Sequence, residues 1–294
     1  MGIAELRDEI GVQIHGLTYI VDIINACGLS CPTCPQGNVG RRDGKKMSIT
    51  LWRDILAKAQ KSMKIRKVAF CSFSDPLLHP DLPELVRMVS SQGIPCFVST
   101  TLNHVKCSLP DLCQSGVSEI RVGFSGFKKY GFYQTGGHLE TVLQNIQNLQ
   151  SVRGDTKCSL IFHKYKSNAH ELPAVRHFAK SLGWGVIEVD AIYLTLEKII
   201  RSDYESRDLR IIDHLPEHPQ DKLKRVVGAK SCFYQRKEIT LDASGRVYLC
   251  DNVYGEEFVI GDFMAESLFS LRKKIREHPF CRRCIDLGGN RYYY

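Results

Sequence analysis

No stretch of this chain reaches the roughly 18 consecutive apolar residues that would cross a bilayer, and no early segment joins a basic region to an apolar run and a small-residue cleavage site. Both absences argue against a membrane or secreted protein and point to the cytoplasm. Internal repeats and low-complexity tracts are missing too, so a repeat array is excluded. The sequence also lacks the aromatic-and-basic motif that RNA-binding modules carry. The net charge of +8, from 40 Lys and Arg against 32 Asp and Glu, therefore gives little reason to expect a nucleic-acid partner. Basic runs at Arg41 to Lys46, Lys58 to Lys67 and Arg272 to Arg276 suit an acidic protein or an anionic substrate, or are simply solvated surface.

Cysteine, by contrast, is abundant, with 12 residues. In a reducing compartment disulfides do not persist, and clustered thiols are more often metal ligands or catalysts. The 294 residues, 43% of them apolar, can bury one large core with an appendage or two small ones.

Short β-rich runs recur at Tyr19 to Ile24, Lys67 to Cys71, Pro95 to Ser99, Glu119 to Phe124, Cys158 to Phe162 and Gly185 to Asp190, with helical periodicity between them. Leu51, Trp52, Ile55, Leu56 and Ala59 share one helical face, as do Leu139, Val142, Leu143, Ile146 and Leu149. Pro83 suits the first turn of a helix starting near Asp81. Six such βα units imply an α/β fold with a parallel sheet and right-handed crossovers, doubly wound or a full or partial barrel. In each case ligands gather at the C-terminal ends of the strands. Beyond residue 191 the pattern becomes charged and helical through Leu223, then turns to a hairpin, Glu238 to Leu241 and Arg246 to Leu249, joined through Asp242-Ala-Ser-Gly245. Three units are expected: 15–192, a helical linker 193–231, and a small C-terminal unit 232–294.

Cys27, Cys31 and Cys34 form C-x3-C-x2-C directly after the first strand. A closed metal site wants four protein ligands, whereas three leave a coordination position open for a substrate or cofactor. Spacing alone also permits half of a zinc site completed by a distant Cys or His. Near the C-terminus, Cys232, Gly245 and Cys250 form C-x12-G-x4-C, followed by Cys281-x2-Cys284. Four thiols suffice to close one cluster or a zinc ribbon, and the glycine supplies the positive φ of a tight turn between two strands.

The N-terminal triplet after the first strand of a six-unit βα chain resembles the radical S-adenosylmethionine (SAM) superfamily, over nearly the whole chain. The resemblance implies a partial (β/α)6 TIM-like barrel whose three cysteines hold a four-iron four-sulfur (4Fe-4S) cluster. SAM binds its open iron and, on one-electron reduction, is cleaved to a 5′-deoxyadenosyl radical that abstracts hydrogen from an unactivated C–H bond. Thr33 departs from the aromatic residue usual before the third cysteine, and an altered adenine environment is expected. Phe73-Ser-Asp-Pro76 stands where the family has Gly-Gly-Glu-Pro and continues as Leu77-Leu-His-Pro80. By resemblance Ser74 and Asp75 help hold the amino group of SAM, while Thr101, at the end of the third strand, and Ser125, at the end of the fourth, face the cofactor.

The C-terminal pattern resembles the auxiliary-cluster domains called SPASM and, in their shortened form, twitch. By that resemblance Cys232, Cys250, Cys281 and Cys284 close a second 4Fe-4S cluster, able to take an electron from a substrate radical. Of the remaining thiols, Cys96, Cys107, Cys113 and Cys158 read as core residues. Cys71 ends the second strand beside the cofactor loop, where a thiol could return a hydrogen atom to a substrate radical. His163 and Lys164 after the fifth strand, and Glu188 and Asp190 on the sixth, are candidate pocket residues.

The function expected is oxidation or epimerisation of a polar small molecule of the sugar or aminocyclitol type. Peptide modification is the alternative enzyme reading; the cysteine motif begins at residue 27, which leaves no room upstream for a fused leader-recognition domain. A zinc or iron–sulfur binding or electron-transfer protein is the alternative of another class. The basic surface, Lys58, Lys61 and Arg66 in particular, suits an acidic flavodoxin or ferredoxin as reductant.

Overall fold

The computed structural model describes residues 16–38, 43–193, 195–226 and 231–292; Arg41 and Arg42 of the first basic run lie outside them. Six parallel strands form as the patterning implies: β1 (Leu17–Val21), β2 (Ile65–Phe70), β3 (Cys96–Thr100), β4 (Glu119–Gly123), β5 (Lys157–Lys164) and β6 (Gly185–Asp190), each hydrogen-bonded to the next. Three more strands follow, β7 (Glu238–Leu241), β8 (Arg246–Tyr248) and β9 (Val259–Asp262). The whole sheet has the order β6-β5-β4-β3-β2-β1-β7-β8-β9. It is an open, mostly parallel α/β sheet with β6 and β9 at its two edges.

The C-terminal hairpin extends this sheet: β7 runs parallel to β1, and β8 and β9 pair antiparallel beyond it. β1 thus has a strand on either side, and all five of its residues are buried. That explains why the first strand begins two residues earlier than alternation suggests, since a strand covered on both faces carries no alternating signal.

Helices cover the outer face. In α1 (Ile49–Ser62) Trp52, Ile55, Leu56 and Ala59 are buried, and the Ser48 side chain caps the first turn by accepting from Leu51 N at 3.1 Å. The Trp52 indole donates to the Leu85 carbonyl at 3.1 Å and meets Phe70 edge-on, fastening α1 to α2 (Leu82–Ser90) and β2. Pro83 sits in the first turn of α2, behind Asp81. Then come α3 (Leu109–Gln114), α4 (Leu139–Val152), which buries Val142, Ile146 and Leu149, and α5 (Leu172–Ser181). The charged stretch after β6 folds into three short helices, α6 (Leu196–Arg201), α7 (Ser206–Ile212) and α8 (Pro219–Val226). The loop between α7 and α8 leans on β5: Lys166 N donates to the His214 carbonyl at 3.0 Å and Leu215 is buried. Finally α9 (Phe233–Lys237), α10 (Leu268–Glu277) and α11 (Pro279–Asp286) complete the C-terminal part. No helix among the described residues is long and apolar enough to cross a membrane.

Candidate functional site

The chain leaves β1 through buried Ile23 and Ile24 and is pinned there by residues 45–47: Met47 N donates to Ile23 O and Asn25 N to Lys45 O, both at 2.8 Å. The loop that follows carries Cys27, Cys31 and Cys34, all half-buried. Two other loops hold it. Asp75 N, after β2, donates to Ala26 O at 3.0 Å, and Ser30 N donates to Thr135 O at 2.7 Å. Gly136 takes a positive φ of 91°, which would strain any other residue, beside the Gly28 carbonyl. A Cβ at Gly137 would stand 2.5 Å from Asn103 Oδ1, which accepts from His138 N. The Gly-Gly pair is therefore a condition for the close approach of these loops.

One cavity of about 540 Å³ opens where these loops meet, at the C-terminal ends of the strands. Cys27, Cys31, Cys34, Cys71, Ser74, Asp75, Thr101 and Ser125 all line it. Burial pushes the Cys31 thiol up, and its neighbours Cys34 and Cys27 push it further. Cys71 is raised as well, first by burial and then by the carboxylates of Asp251, Asp22 and Glu238. It therefore stays a thiol, electrostatically grouped with carboxylates and not with the triplet.

The polar residues of the cavity are tied to one another. Asp75 Oδ1 accepts from Thr100 Oγ1 at 2.8 Å and Leu77 N at 3.2 Å, and its Oδ2 accepts from Thr101 N at 3.0 Å and Thr101 Oγ1 at 2.8 Å. With 3% of its surface exposed, Asp75 clamps the end of β2 to the end of β3. Ser74 donates twice to Asp22, from its amide at 3.1 Å and from its hydroxyl. Ser125 is buried, and its carbonyl accepts from Asn168 Nδ2 at 2.8 Å.

Several lining residues escaped the sequence reading. Tyr133 and Tyr165 stack with ring centroids 4.7 Å apart, and the Tyr165 hydroxyl lies 3.3 Å from Thr33 Oγ1. An aromatic wall thus stands beside Thr33, supplied by the residue after β5 and by the short helix Tyr130–Tyr133. His163 and Asp190 line the cavity as expected, both open to it. Lys164 pairs with Asp190 at 2.7 Å, while Lys222 of α8 reaches the cavity from more than 50 residues beyond β5.

The four C-terminal cysteines also converge. Cys232 precedes α9, Cys250 follows β8, and Cys281 and Cys284 lie three apart on one face of α11. Together with Leu196, Leu249, Phe280 and Ile285 they line a small void. Burial and neighbouring thiols push Cys281 up to about 12 and raise Cys250 and Cys284 too. Gly245 has φ 80° in the β7–β8 turn, where Asp242 Oδ1 accepts from Ser244 N at 2.8 Å and Arg246 N at 3.0 Å. Cys96, Cys107 and Cys158 are buried and Cys113 half-buried, packed in the core. Among the described residues no three His, Cys, Asp or Glu side chains close on a point as a single metal ion requires. Both thiol sets surround a volume instead.

The family model described as the radical SAM superfamily matches residues 21–179. A probable GTP 3′,8-cyclase of Methanococcus maripaludis strain C5 is 25% identical over 185 residues, 60% of this chain and 59% of that protein. The PqqA peptide cyclase of Gluconobacter oxydans is 23% identical over 177 residues, 59% of this chain and 48% of that protein. The matched region thus spans about half to three-fifths of those relatives. Among solved structures, BtrN in complex with AdoMet and 2-DOIA superposes with TM-score 0.53 at 14% identity, covering 92% of this chain and 87% of that one. Streptococcus suis SuiB bound to precursor peptide SuiA gives TM-score 0.62 at 11% identity, covering 99% and 71%. These likenesses are of fold.

Proposed function

Because the chain belongs to the radical SAM superfamily, we propose that it holds a 4Fe-4S cluster on Cys27, Cys31 and Cys34, a second on Cys232, Cys250, Cys281 and Cys284, and oxidises or epimerises a polar small molecule. The observation that carries this reading is the shared cavity: the three thiols, two of which raise Cys31, the loop residues Ser74 and Asp75, and Thr101 and Ser125 all line one space. When bound, the N-terminal cluster and SAM would supply a 5′-deoxyadenosyl radical able to remove hydrogen from an unactivated C–H bond.

The chain's own residues would do the rest. Asp75 and Thr101 hold the loop that places Ser74 against the amino group of SAM. Tyr133 and Tyr165 wall the side next to Thr33. His163, open to the cavity, is a hydrogen-bond partner for substrate. The apolar, four-thiol C-terminal site leaves no room for substrate and suits an electron acceptor for oxidation. Cys71, held as a thiol, can give a hydrogen atom to a substrate radical in an epimerisation; a reductant and a proton must then restore it. Free thiols in this number suit a reducing compartment, the cytoplasm. The electron donor to the N-terminal cluster is an acidic flavodoxin or ferredoxin docking on Lys61 and Arg66, which are exposed. Lys58 has a different task, since its ammonium donates to the carbonyls of Met264 at 2.9 Å and Glu266 at 2.8 Å.

A peptide substrate is the second reading, favoured by the match to a PqqA peptide cyclase. The test is anaerobic. Protein reconstituted with iron and sulfide, then given SAM and dithionite, is expected to form 5′-deoxyadenosine and methionine. Aminocyclitols and sugars should stimulate that turnover more than short peptides do, and the reverse ranking would transfer the assignment to peptides. No cleavage by cluster-loaded protein would leave a passive metal protein. In D2O, Cys71→Ala is expected to lose solvent deuterium from the epimerised product; retained deuterium would remove Cys71 from the reaction.

A further inference from the structure

A second, smaller cavity of about 80 Å³ lies behind the cofactor loop, between the end of β1 and the β7–β8 turn. Its wall toward the main cavity is Ser72, Phe73 and Ser74, which line both spaces. At the centre of that wall stands Asp22. Its carboxylate accepts from Phe73 N at 3.3 Å, from Ser74 N at 3.1 Å and from the Ser74 hydroxyl. No residue of the cofactor loop that the motif singles out does this; the acceptor is the residue that follows β1.

A hydroxyl has one hydrogen to give. While Asp22 is ionised, Ser74 spends that hydrogen on the carboxylate, and the oxygen lone pairs are left for the main cavity. When Asp22 is protonated on Oδ1, the oxygen that both Ser74 donors use, that O–H donates to Ser74 Oγ and the Ser74 O–H is free to turn into the main cavity as a donor. The two states present opposite polarity to a ligand at the same spot. We propose that Asp22 is a positioning residue for SAM, which by fixing the direction of the Ser74 hydroxyl makes this wall an acceptor for the SAM amino group. The proposal rests on the reading above that Ser74 faces that group.

The surroundings support a change of state near neutrality. Burial raises Asp22 to about 7, and the like charge of Asp242 adds to it, against the three hydrogen bonds. Cys71 faces Asp22 from β2. Across the small cavity stand Asp43, Lys45, Arg246, Tyr248 and Tyr254. Arg246 is committed to Asp242 at 2.7 Å and Glu256 at 2.8 Å, and Asp43 accepts from Lys45 N at 2.9 Å. A cavity of about 80 Å³ has room for several waters beside these polar side chains, a route for the Asp22 proton that avoids the main cavity.

The experiment is SAM affinity by anaerobic equilibrium dialysis on the cluster-loaded protein at pH 6 and pH 8, with iron content measured alongside. If only the ionised form is competent, its share rises from about 0.1 to about 0.9 over that range, and wild type should tighten about ninefold beyond any change intrinsic to SAM. Asp22→Asn cannot ionise and should show only the intrinsic change. Ser74→Ala, which leaves Asp22 in place but removes the acceptor, should bind at pH 8 no more tightly than wild type does at pH 6, with the same loss of pH dependence. Equal pH dependence in wild type and Asp22→Asn, with Ser74→Ala weakened, overturns the role of Asp22 alone. Unchanged affinity in Ser74→Ala overturns the placement of the amino group, and the proposal with it.

Discussion

The Cys27→Ala, Cys31→Ala, Cys34→Ala triple variant is expected to form 5′-deoxyadenosine and methionine only at the background rate, while keeping the iron held by the C-terminal cysteines. The three thiols are half-buried and line the main cavity, whereas Cys232, Cys250, Cys281 and Cys284 enclose a separate void. Loss at one site should therefore leave the other intact. Folding should survive as well, because the substitutions leave in place the backbone bonds that anchor the loop, such as Asp75 N to Ala26 O and Ser30 N to Thr135 O. The metal-free variant should thus melt close to the metal-free wild type. Chromatographic assay of both products with iron analysis checks this. Product formation at the wild-type rate would mean that the three cysteines do not carry the cleavage, and loss of all iron would mean that the two sites fold as one.

The second large effect is on stability. Asp75→Ala removes the acceptor of four hydrogen bonds, and leaves the Thr100 hydroxyl and the Leu77 amide without it in a buried place and the Thr101 amide and hydroxyl without it at the half-buried cavity wall. Each donor so stranded costs about 1–3 kcal/mol. A total of about 3 kcal/mol or more is expected in urea unfolding of the metal-free protein, together with loss of SAM binding by the reconstituted form. Asp75→Asn should fall between, because its amide can accept from one threonine pair but presents donors to the other. Wild-type urea stability in Asp75→Ala would show that the carboxylate is not a clamp, and would return it to direct contact with SAM.

Asp75 also shows the difference between a motif and its mechanism. The spelling Ser-Asp-Pro after the second strand placed the loop correctly, because its offset from the triplet is a property of the chain. What the carboxylate does was not readable, because its partners Thr100 and Thr101 lie 25 and 26 residues away. Asp22 is a sharper case: a lone Asp at a strand end looks like any other, and only the 52-residue closure onto Ser74 gives it a role. Tyr165 was passed over for the same reason, since its distance to Thr33 is set by the curvature of the sheet and not by any local pattern. β9 was missed because three half-buried residues and one exposed one carry little periodicity.

By itself the sequence determined the six βα units, the two cysteine sets and the turn glycine Gly245, since strand and helix periods, ligand spacing and positive φ are all local quantities. The tertiary structure alone decided that β7 joins β1, so that the C-terminal cysteines hang from the same sheet as the triplet. It alone decided which polar side chains satisfy one another and which face the cavity. Those outcomes depend on contacts between residues far apart in the chain, whose geometry is set only when the sheet closes on its helices and the loops at its C-terminal edge are pressed together.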